Sequence, residues 1–293
     1  MSGQSQVTFR ATLLGTGAPP PVLDRFGPSA LVEAGEEKFV FDAGRGALQR
    51  LFQLGVPFSE VTGLFFTHHH SDHVVGIPDL WLTGWIRHPW GGRRVPLPVW
   101  GPTGTIDMMS HLEKAYEVDI RVRSRNYPAE GVALRAQETT EDVVYEKSGL
   151  KVTAFEVDHG SEILPAFGYR IDFAGRSAVL SEDTAFNENL IHFSQGTDLL
   201  VHEVTLMEES LRGSAQYQRI TKNHTTPEQA AEVFSRVKPK LAIYTHILLF
   251  GDLETKDLIG PTRKNYSGQF EIGEDLMSID VGEQLEVSRF KKN

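Results

Sequence analysis

Residues 68–73 contain four histidines and one aspartate, and three of the histidines form with the aspartate the pattern His68-x-His70-x-Asp72-His73. Neutral imidazole and carboxylate are the groups that bind zinc and related divalent ions. The alternate spacing lets two side chains converge on one ion while the adjacent pair reaches a second. A surface polyhistidine run needs neither the aspartate nor the apolar Leu64-Phe65-Phe66 before it. The pattern therefore predicts a metal site on a turn at the end of a buried strand.

Other candidate residues also stand directly after short apolar runs that are typical of strands. They are His159, Asp183, His202 and His246. In layered α/β proteins, ligands gather at strand ends. This repeated placement predicts that these side chains meet the histidine pattern at one edge of the fold.

The elements that must position these residues alternate between strands and helices, which predicts an α/β fold in layers. Apolar runs predict strands over residues 7–14, 31–33, 38–41, 152–157, 166–172, 177–181, 199–201 and 241–244. Leu48, Leu51 and Phe52 would share one helix face. Thr226 starts a second helix, with Pro227 in its first turn and Gln229 closing a capping box. Residues 128–148 are polar and irregular, which indicates a loop or an edge hairpin.

Composition excludes several classes of protein. The chain has 293 residues, of which 40% are hydrophobic and 23% charged, as in an ordinary globular protein. No apolar run approaches the ~18 residues of a membrane span. Residues 1–6 show no signal peptide, so we expect a cytoplasmic protein without membrane contact. Because there are no cysteines, any metal must be held by nitrogen and oxygen ligands.

The formal net charge of -10 disfavours a large polyanion such as RNA, unless a local basic patch is present. Arg93-Arg94 and the alternating Arg121, Arg123 and Arg125 are the candidates for such a patch. Alternate arginines are more typical of the solvent-exposed face of a strand, and we favour that interpretation.

The four tryptophans, Trp81, Trp85, Trp90 and Trp100, cluster just after the histidine pattern. Trp81 and Trp85 are four residues apart and would share a helix face. They would form either a core or subunit contact, or an aromatic wall that holds an apolar or aryl part of a substrate. We therefore include Trp81 and Trp85 among the candidate substrate-binding residues.

These residues, in this order, resemble the metallo-β-lactamase fold superfamily, and more narrowly its tRNase Z, zinc phosphodiesterase and arylsulfatase-like branch. The resemblance runs from Leu14-Gly15-Thr16-Gly17 to about Ile279, and the histidine pattern marks the superfamily. Three further motifs mark the branch: Phe167-Gly168-Tyr169-Arg170, His202-Glu203-Val204-Thr205 and His224-Thr225-Thr226. The resemblance implies a single domain over residues 1–293, folded as an αββα sandwich with the metal site at the edge of two mixed sheets. It also implies a homodimer.

The resemblance assigns the ligands of two divalent ions, with zinc as the family's metal and iron or manganese also suited to these side chains. The first ion would take His68, His70 and His159, the second Asp72, His73 and His246, and Asp183 would bridge the two. Asp42 would support the metal loop by hydrogen bonding, and His69 would be a spacer.

The implied reaction is ester hydrolysis by a metal-activated hydroxide. Asp72 would orient that hydroxide or take its proton. Glu203 paired with His224 resembles the family's proton relay to the leaving group, which places His224 against the substrate as well. Packing at a helix start is an alternative role for His224, and His202 would only brace the metal shell.

Three departures from the family pattern bear on the substrate. Bacterial tRNase Z enzymes insert a long flexible arm before the bridging aspartate to grip tRNA, and here only residues 171–181 fill that interval. Glu182 replaces the usual small residue, which would alter the charge of the pocket. After His246, the run Ile247-Leu248-Leu249-Phe250 replaces polar residues and an arginine that meet phosphate.

We therefore expect a zinc-dependent hydrolase of small phosphodiesters or (aryl) sulfate esters, with RNA disfavoured. One alternative is a tRNase Z-type 3′-end endoribonuclease that lacks the flexible arm. A lactonase or β-lactamase would not explain the pairing of Glu203 with His224. A metal-stabilised scaffold that binds a nucleotide or a partner without turnover is the alternative from outside the enzymes.

Overall fold

The computed structural model describes residues 8–290, which form two β-sheets stacked face to face. Residues 1–6, which showed no signal peptide in the sequence, and residues 291–293 lie outside the described residues. So does the first residue of the predicted opening strand, Val7.

The first sheet is mixed and has eight strands within the described residues. In chain order they are β1 (Phe9–Gly15), β2 (Ser29–Ala34), β3 (Glu37–Phe41), β4 (Gly63–Phe65), β5 (Leu97–Gly101), β6 (Leu134–Glu138), β14 (Ser278–Val281) and β15 (Leu285–Ser288). Their order across the sheet is β15-β14-β1-β2-β3-β4-β5-β6. The pairs from β3 to β6 are parallel, and the others are antiparallel.

The second sheet is also mixed, with seven strands in the described part of the chain. They are β7 (Asp142–Lys147), β8 (Leu150–Val157), β9 (Ala166–Phe173), β10 (Arg176–Leu180), β11 (Leu199–Met207), β12 (Leu241–Phe250) and β13 (Phe270–Ile272). Their order is β13-β12-β11-β10-β9-β8-β7. The pairs from β10 to β13 are parallel and the pairs from β7 to β10 are antiparallel.

Helices cover the outer faces of both sheets. They are α1 (Ala47–Leu54), α2 (Ser71–Val74), α3 (Ile77–Trp85), α4 (Thr105–Ala115), α5 (Glu117–Arg123), α6 (Glu188–Phe193), α7 (Ala215–Lys222), α8 (Pro227–Val237) and α9 (Ile259–Asn265). Short 3₁₀ turns lie at Phe58–Glu60, Ala129–Gly131, Glu209–Leu211 and Thr255–Leu258.

The apolar core has three layers. Side chains such as Phe41, Tyr169 and Ile243 pack between the two sheets. Further clusters lie between the first sheet and α1, α3 and α4, and between the second sheet and α6 and α8. This arrangement of helix, sheet, sheet and helix confirms the predicted αββα sandwich.

Most predicted elements are present at the predicted positions. The capping box of α8 is complete, since Thr226 Oγ1 accepts from Gln229 N (3.3 Å) and Gln229 Oε1 accepts from Thr226 N (3.0 Å). Leu48 and Leu51 are buried on α1, but Phe52 is 52% exposed and contacts the ring of Trp90 instead. The predicted three-residue face was therefore wrong at Phe52.

Two other predictions were wrong. Arg121 and Arg123 lie on α5, not on a strand, and the Arg123 guanidinium pairs with Asp119 one turn earlier (2.8 Å). Residues 128–148 form neither a plain loop nor a hairpin, because β6 is the edge of one sheet and β7 the edge of the other. Edge strands are half exposed, so they lack the apolar alternation that would have marked them.

Within residues 8–290, no helix combines the length and apolar character needed to cross a membrane.

Candidate metal centre

The turn between β4 and α2 carries the histidine pattern and is held by Asp42. This fully buried carboxylate accepts hydrogen bonds from Thr67 N (2.9 Å), Thr67 Oγ1 (2.7 Å) and His73 Nδ1 (2.7 Å). Its backbone has a φ of 55°, a conformation that costs a non-glycine residue energy. Asp42 thus fixes both the start of the turn and the orientation of the His73 ring, as the resemblance implied.

His69 points away from the other histidines. Its Nε2 donates to Thr105 Oγ1 (2.9 Å), and that hydroxyl donates to Pro102 O (2.7 Å). The expected spacer therefore ties the turn to the start of α4.

The second half of the centre is assembled from separate strand ends. His159 follows β8, Asp183 follows β10, and His246 lies within β12. The pairing of β11 with β12 shifts register at His246, since Glu203 pairs with Thr245 and Val204 with Ile247. This bulge and the φ of 40° at His246 turn its side chain out of the strand alternation and toward the centre.

The seven predicted ligands come together in two overlapping groups. His70 Nδ1 lies 2.9 Å from His68 Nε2 and 3.1 Å from His159 Nε2. Asp183 reaches both groups, with Oδ2 3.6 Å from His159 Nε2 and 3.5 Å from His73 Nε2.

The donor atoms of the second group lie as close to one another as those of the first group. His246 Nε2 lies 3.4 Å from Asp72 Oδ2, and His246 Nδ1 lies 3.1 Å from Asp183 Oδ1. Donor atoms ~2.0–2.2 Å from a tetrahedral ion are roughly 3.3 Å from one another. The spacing in both groups fits that arrangement.

Several of these donor atoms lack other partners. Among the described residues, the buried His73 Nε2, Asp183 Oδ1 and His246 Nδ1 have no hydrogen-bond partner. Burying a polar atom without a partner costs about 1–3 kcal/mol. Burial also lowers the pKa of His159 to about 4, which leaves the neutral ring that binds metals. The site therefore fits two divalent ions better than it fits a hydrogen-bonded polar cluster.

Glu203 lies beside these ligands and holds His224. Its Oε1 accepts from His224 Nδ1 (3.0 Å), Thr184 N (3.0 Å) and Thr225 N (3.3 Å). Burial raises the pKa of Glu203, and the three donors on one oxygen oppose that rise by favouring the charged form. Burial alone would lower the pKa of His224, but the Glu203 carboxylate outweighs burial and raises the pKa to about 9.

His202 has a different environment from its neighbour. Its Nδ1 donates to Glu203 O (2.6 Å), its ring packs edge-on against Phe234, and burial lowers its pKa to about 4. His202 is thus a neutral ring on the helix-covered side of β11, next to Phe234 of α8. The predictions that it meets the histidine pattern and braces the metal shell were wrong, because its ring faces the opposite side of the strand from the candidate ligands.

Glu182 was expected to alter the charge of the pocket. Its side chain is buried and groups with Asp42 and His73. Burial, together with the Asp42 charge, raises the pKa of Glu182 well above its ordinary value. The carboxyl therefore sits behind His73, where burial disfavours its charged form.

The assignment of Trp81 and Trp85 to a substrate wall is corrected by the structure. Both are buried in the core beneath α3, with 0% and 1% exposure. Trp81 Nε1 donates to Val132 O (2.7 Å), and Trp85 Nε1 donates to Pro128 O (2.8 Å). Because each ring has both its apolar body and its N–H satisfied inside the protein, neither is open to a substrate.

Comparison with known proteins agrees with this geometry. A profile described as the Beta-lactamase superfamily domain matches residues 37–247, a range that includes all seven candidate ligands. The chain is a member of the β-lactamase superfamily. A relative from Mycolicibacterium gilvum named Ribonuclease Z is 34% identical over 281 residues, which cover 93% of this chain and 96% of the relative.

Solved structures of other proteins share the fold of this chain. The metallo-β-lactamase fold protein YhfI from Bacillus subtilis has a TM-score of 0.74 at 18% identity, with 92% of this chain and 98% of that chain covered. The short form of human tRNase Z has a TM-score of 0.68 at 21% identity, covering 93% and 99%. Together with the His/Asp cluster, the family places the chain among metal-dependent hydrolases.

Some contacts of the site were missed from sequence. Asn223 contributes its carbonyl oxygen to His159 Nδ1 (3.1 Å), and a main-chain oxygen leaves no signal in residue type. Thr184 and Thr225 hold Glu203 by their N–H groups. Their positions beside Asp183 and His224 were the only available hint.

Proposed function

We propose that this chain is a binuclear metal-dependent phosphodiesterase whose substrate is RNA with a 3′ extension. The observation that supports it most is the Glu203–His224 pair, buried beside two groups of metal ligands. A lactonase or β-lactamase has no evident use for a fixed proton donor at this place. A non-catalytic scaffold has no use for it either.

The proposed ligands are those that the resemblance named. His68, His70 and His159 hold one ion, Asp72, His73 and His246 hold the other, and Asp183 reaches both. Two divalent ions, with zinc as the first choice, would supply Lewis-acid polarisation of a phosphoryl oxygen and lower the pKa of an attacking water. Asp72 lies between His73 and His246, at 3.6 and 3.4 Å, where its carboxylate can orient that water or accept its proton.

The leaving group requires a proton as its bond to phosphorus breaks. His224 Nδ1 is occupied by Glu203, so Nε2 is the ring atom left to donate to the departing oxygen. Glu203 fixes the orientation of the ring and stabilises its charged form. General acid catalysis of this kind contributes typically about 10²–10⁴-fold.

The choice of RNA over a small ester rests on the relatives. The 281 aligned positions take in 93% of this chain and 96% of the Mycolicibacterium gilvum Ribonuclease Z, which leaves room for only short insertions in that relative. A short interval before Asp183 therefore does not separate this chain from a relative with that name. We disfavoured RNA as the substrate because the arm is missing, and that absence is therefore no longer an argument against RNA.

Small phosphodiesters or aryl sulfate esters are the second candidate. Strands β9 and β10 are joined by a tight turn at Ala174-Gly175, which leaves no arm to grip an RNA at that place. Beyond His246, the residues Ile247, Leu248 and Leu249 line a cavity together with Gly17 and Val22. Both features suit a compact substrate with an apolar group.

A parallel assay separates the candidates. Metal-replete protein is given a 3′-extended tRNA transcript, bis(p-nitrophenyl) phosphate and p-nitrophenyl sulfate, with Asp183→Ala protein as the control for contaminating nuclease. We expect cleavage of the RNA near its 3′ end and hydrolysis of the aryl phosphodiester, both absent from the control. Uncut RNA with rapid turnover of either small ester would replace the first candidate with the second.

A further inference from the structure

Helix α7 (Ala215–Lys222) carries only basic charges. Its sequence, AQYQRITK, contains Arg219 and Lys222 and no acidic residue. Both cations are exposed, and neither lies within 4.0 Å of a carboxylate among the described residues. In a chain with a net charge of -10, two free cations on one short helix form a local positive surface.

This positive surface adjoins the candidate site. Lys222 is two residues before His224, the proposed proton donor. The intervening Asn223 accepts from His159 Nδ1 (3.1 Å) through its carbonyl oxygen, so the end of α7 contacts a proposed metal ligand directly. Arg219 lies three residues earlier, one helical turn of about 5 Å from Lys222 on the same side.

The opposite side of α7 is packed onto the protein. The Tyr217 ring meets Phe250 at the end of β12, with ring centroids 5.2 Å apart. Because α7 is held by this face, Arg219 and Lys222 are presented to solvent, and Lys222 lies two residues from His224.

We propose that Arg219 and Lys222 bind the phosphate backbone of RNA next to the scissile phosphodiester. This inference rests on the proposed function. Lysine and arginine that neutralise phosphates provide most of the sequence-independent affinity of proteins for nucleic acid. A small ester has no neighbouring phosphate for them to contact, so α7 is a feature that an extended polyanion uses and a compact ester does not. Helix α7 would thus contact RNA in a chain that has no flexible arm.

The test compares wild-type protein with the Arg219→Ala/Lys222→Ala double variant, both metal-replete, on a labelled 3′-extended tRNA transcript. The salt dependence is measured between about 50 and 200 mM KCl. If wild-type protein cuts the RNA, the readout is kcat/KM; if the RNA stays intact, fluorescence anisotropy gives Kd on the same transcript. Arg87→Ala/Lys264→Ala removes two other exposed cations and serves as the matched control.

Each phosphate contact contributes about one unit to the slope of log affinity against log salt. We expect the double variant to lose about two units of slope and to bind RNA more weakly at low salt, while the control keeps the wild-type slope. An unchanged slope would overturn the proposal. So would a lower Tm with an unchanged slope, which would show that the two cations only complement the C-terminus of α7.

The two proposals fail separately. RNA that binds through Arg219 and Lys222 but is left uncut would contradict the proposed function and leave the docking surface in place. RNA that is cut equally well by the double variant would contradict the docking surface and leave the proposed function in place. Wild-type protein that neither binds nor cuts RNA would overturn both.

Discussion

The two halves of the metal centre are built by different means. In the first half, the ligands His68, His70, Asp72 and His73 lie within six consecutive residues that span the turn after β4 and the start of α2. A single buried side chain, Asp42, holds this segment. In the second half, each ligand comes from a different strand of the second sheet. There the support is main-chain: a carbonyl oxygen for His159 and a β-bulge for His246.

This difference indicates where each half is vulnerable. The first half depends on a side chain that one substitution can remove. The second half depends on sheet register and on backbone conformations such as the φ of 45° at Glu182 and 40° at His246. Side-chain changes around the second half should therefore have small effects unless they touch a ligand.

The largest effect is expected at Asp183, where the two halves meet. Asp183→Ala removes the carboxylate that reaches both ligand groups, so we expect less than one tightly bound ion per chain. Phosphodiesterase kcat/KM should fall by at least ~10³-fold, about 4 kcal/mol of transition-state stabilisation. Metal analysis of the purified variant checks this, and two retained ions would show that the halves bind metal independently.

The next effect is expected at the proposed proton relay. Glu203→Gln keeps the size of the side chain but removes the charge that stabilises protonated His224. Hydrolysis of aryl phosphodiesters should slow by about 10²-fold for poor leaving groups and much less for good ones.

Thr205→Val is the matched control for this relay. It changes a buried residue of the same strand whose hydroxyl has no partner among the described side chains. A leaving-group series with equal losses for all esters in Glu203→Gln would assign Glu203 a structural role.

A smaller effect, on metal affinity, is expected from variants that change the support of each half. Asp42→Asn weakens the support of Thr67 and His73, and losing such an outer partner typically costs about 10–100-fold in metal affinity. Asn223→Ala leaves the carbonyl that supports His159, so affinity should stay within about threefold of wild type. Chelator competition measures both, and equal losses would mean that the halves are supported alike.

The smallest effect on catalysis is expected at Trp81. Trp81→Phe leaves Val132 O without its donor and opens space in the core, so unfolding free energy should fall by about 1–3 kcal/mol. KM for an aryl phosphodiester should not change. Trp90→Phe, at a partly exposed ring, should cost less. A raised KM in Trp81→Phe with normal stability would restore the aromatic wall that the structure excludes.

Sequence predicts one half of this centre better than the other. The pattern at His68 to His73 is local, so spacing alone indicates a metal site, and the capping box at Thr226 is equally local. His246 was predicted at the end of a strand, but it lies within β12 at a bulge, which depends on the partner strand and is not visible in one strand's sequence. The prediction that Trp81 contacts the substrate was wrong for a related reason. Helical spacing shows that its ring shares a helix face with Trp85, but it does not show which layer of the protein covers that face.

The central claim is that two metal ions support phosphodiester hydrolysis here. The most direct test is to strip the protein of metal and titrate Zn²⁺ back while following bound ion and cleavage of the 3′-extended tRNA in the same samples. We predict that activity rises in step with occupancy and levels off at two ions per chain. Full cleavage at one ion, or two bound ions with no phosphodiester bond broken, would contradict the account.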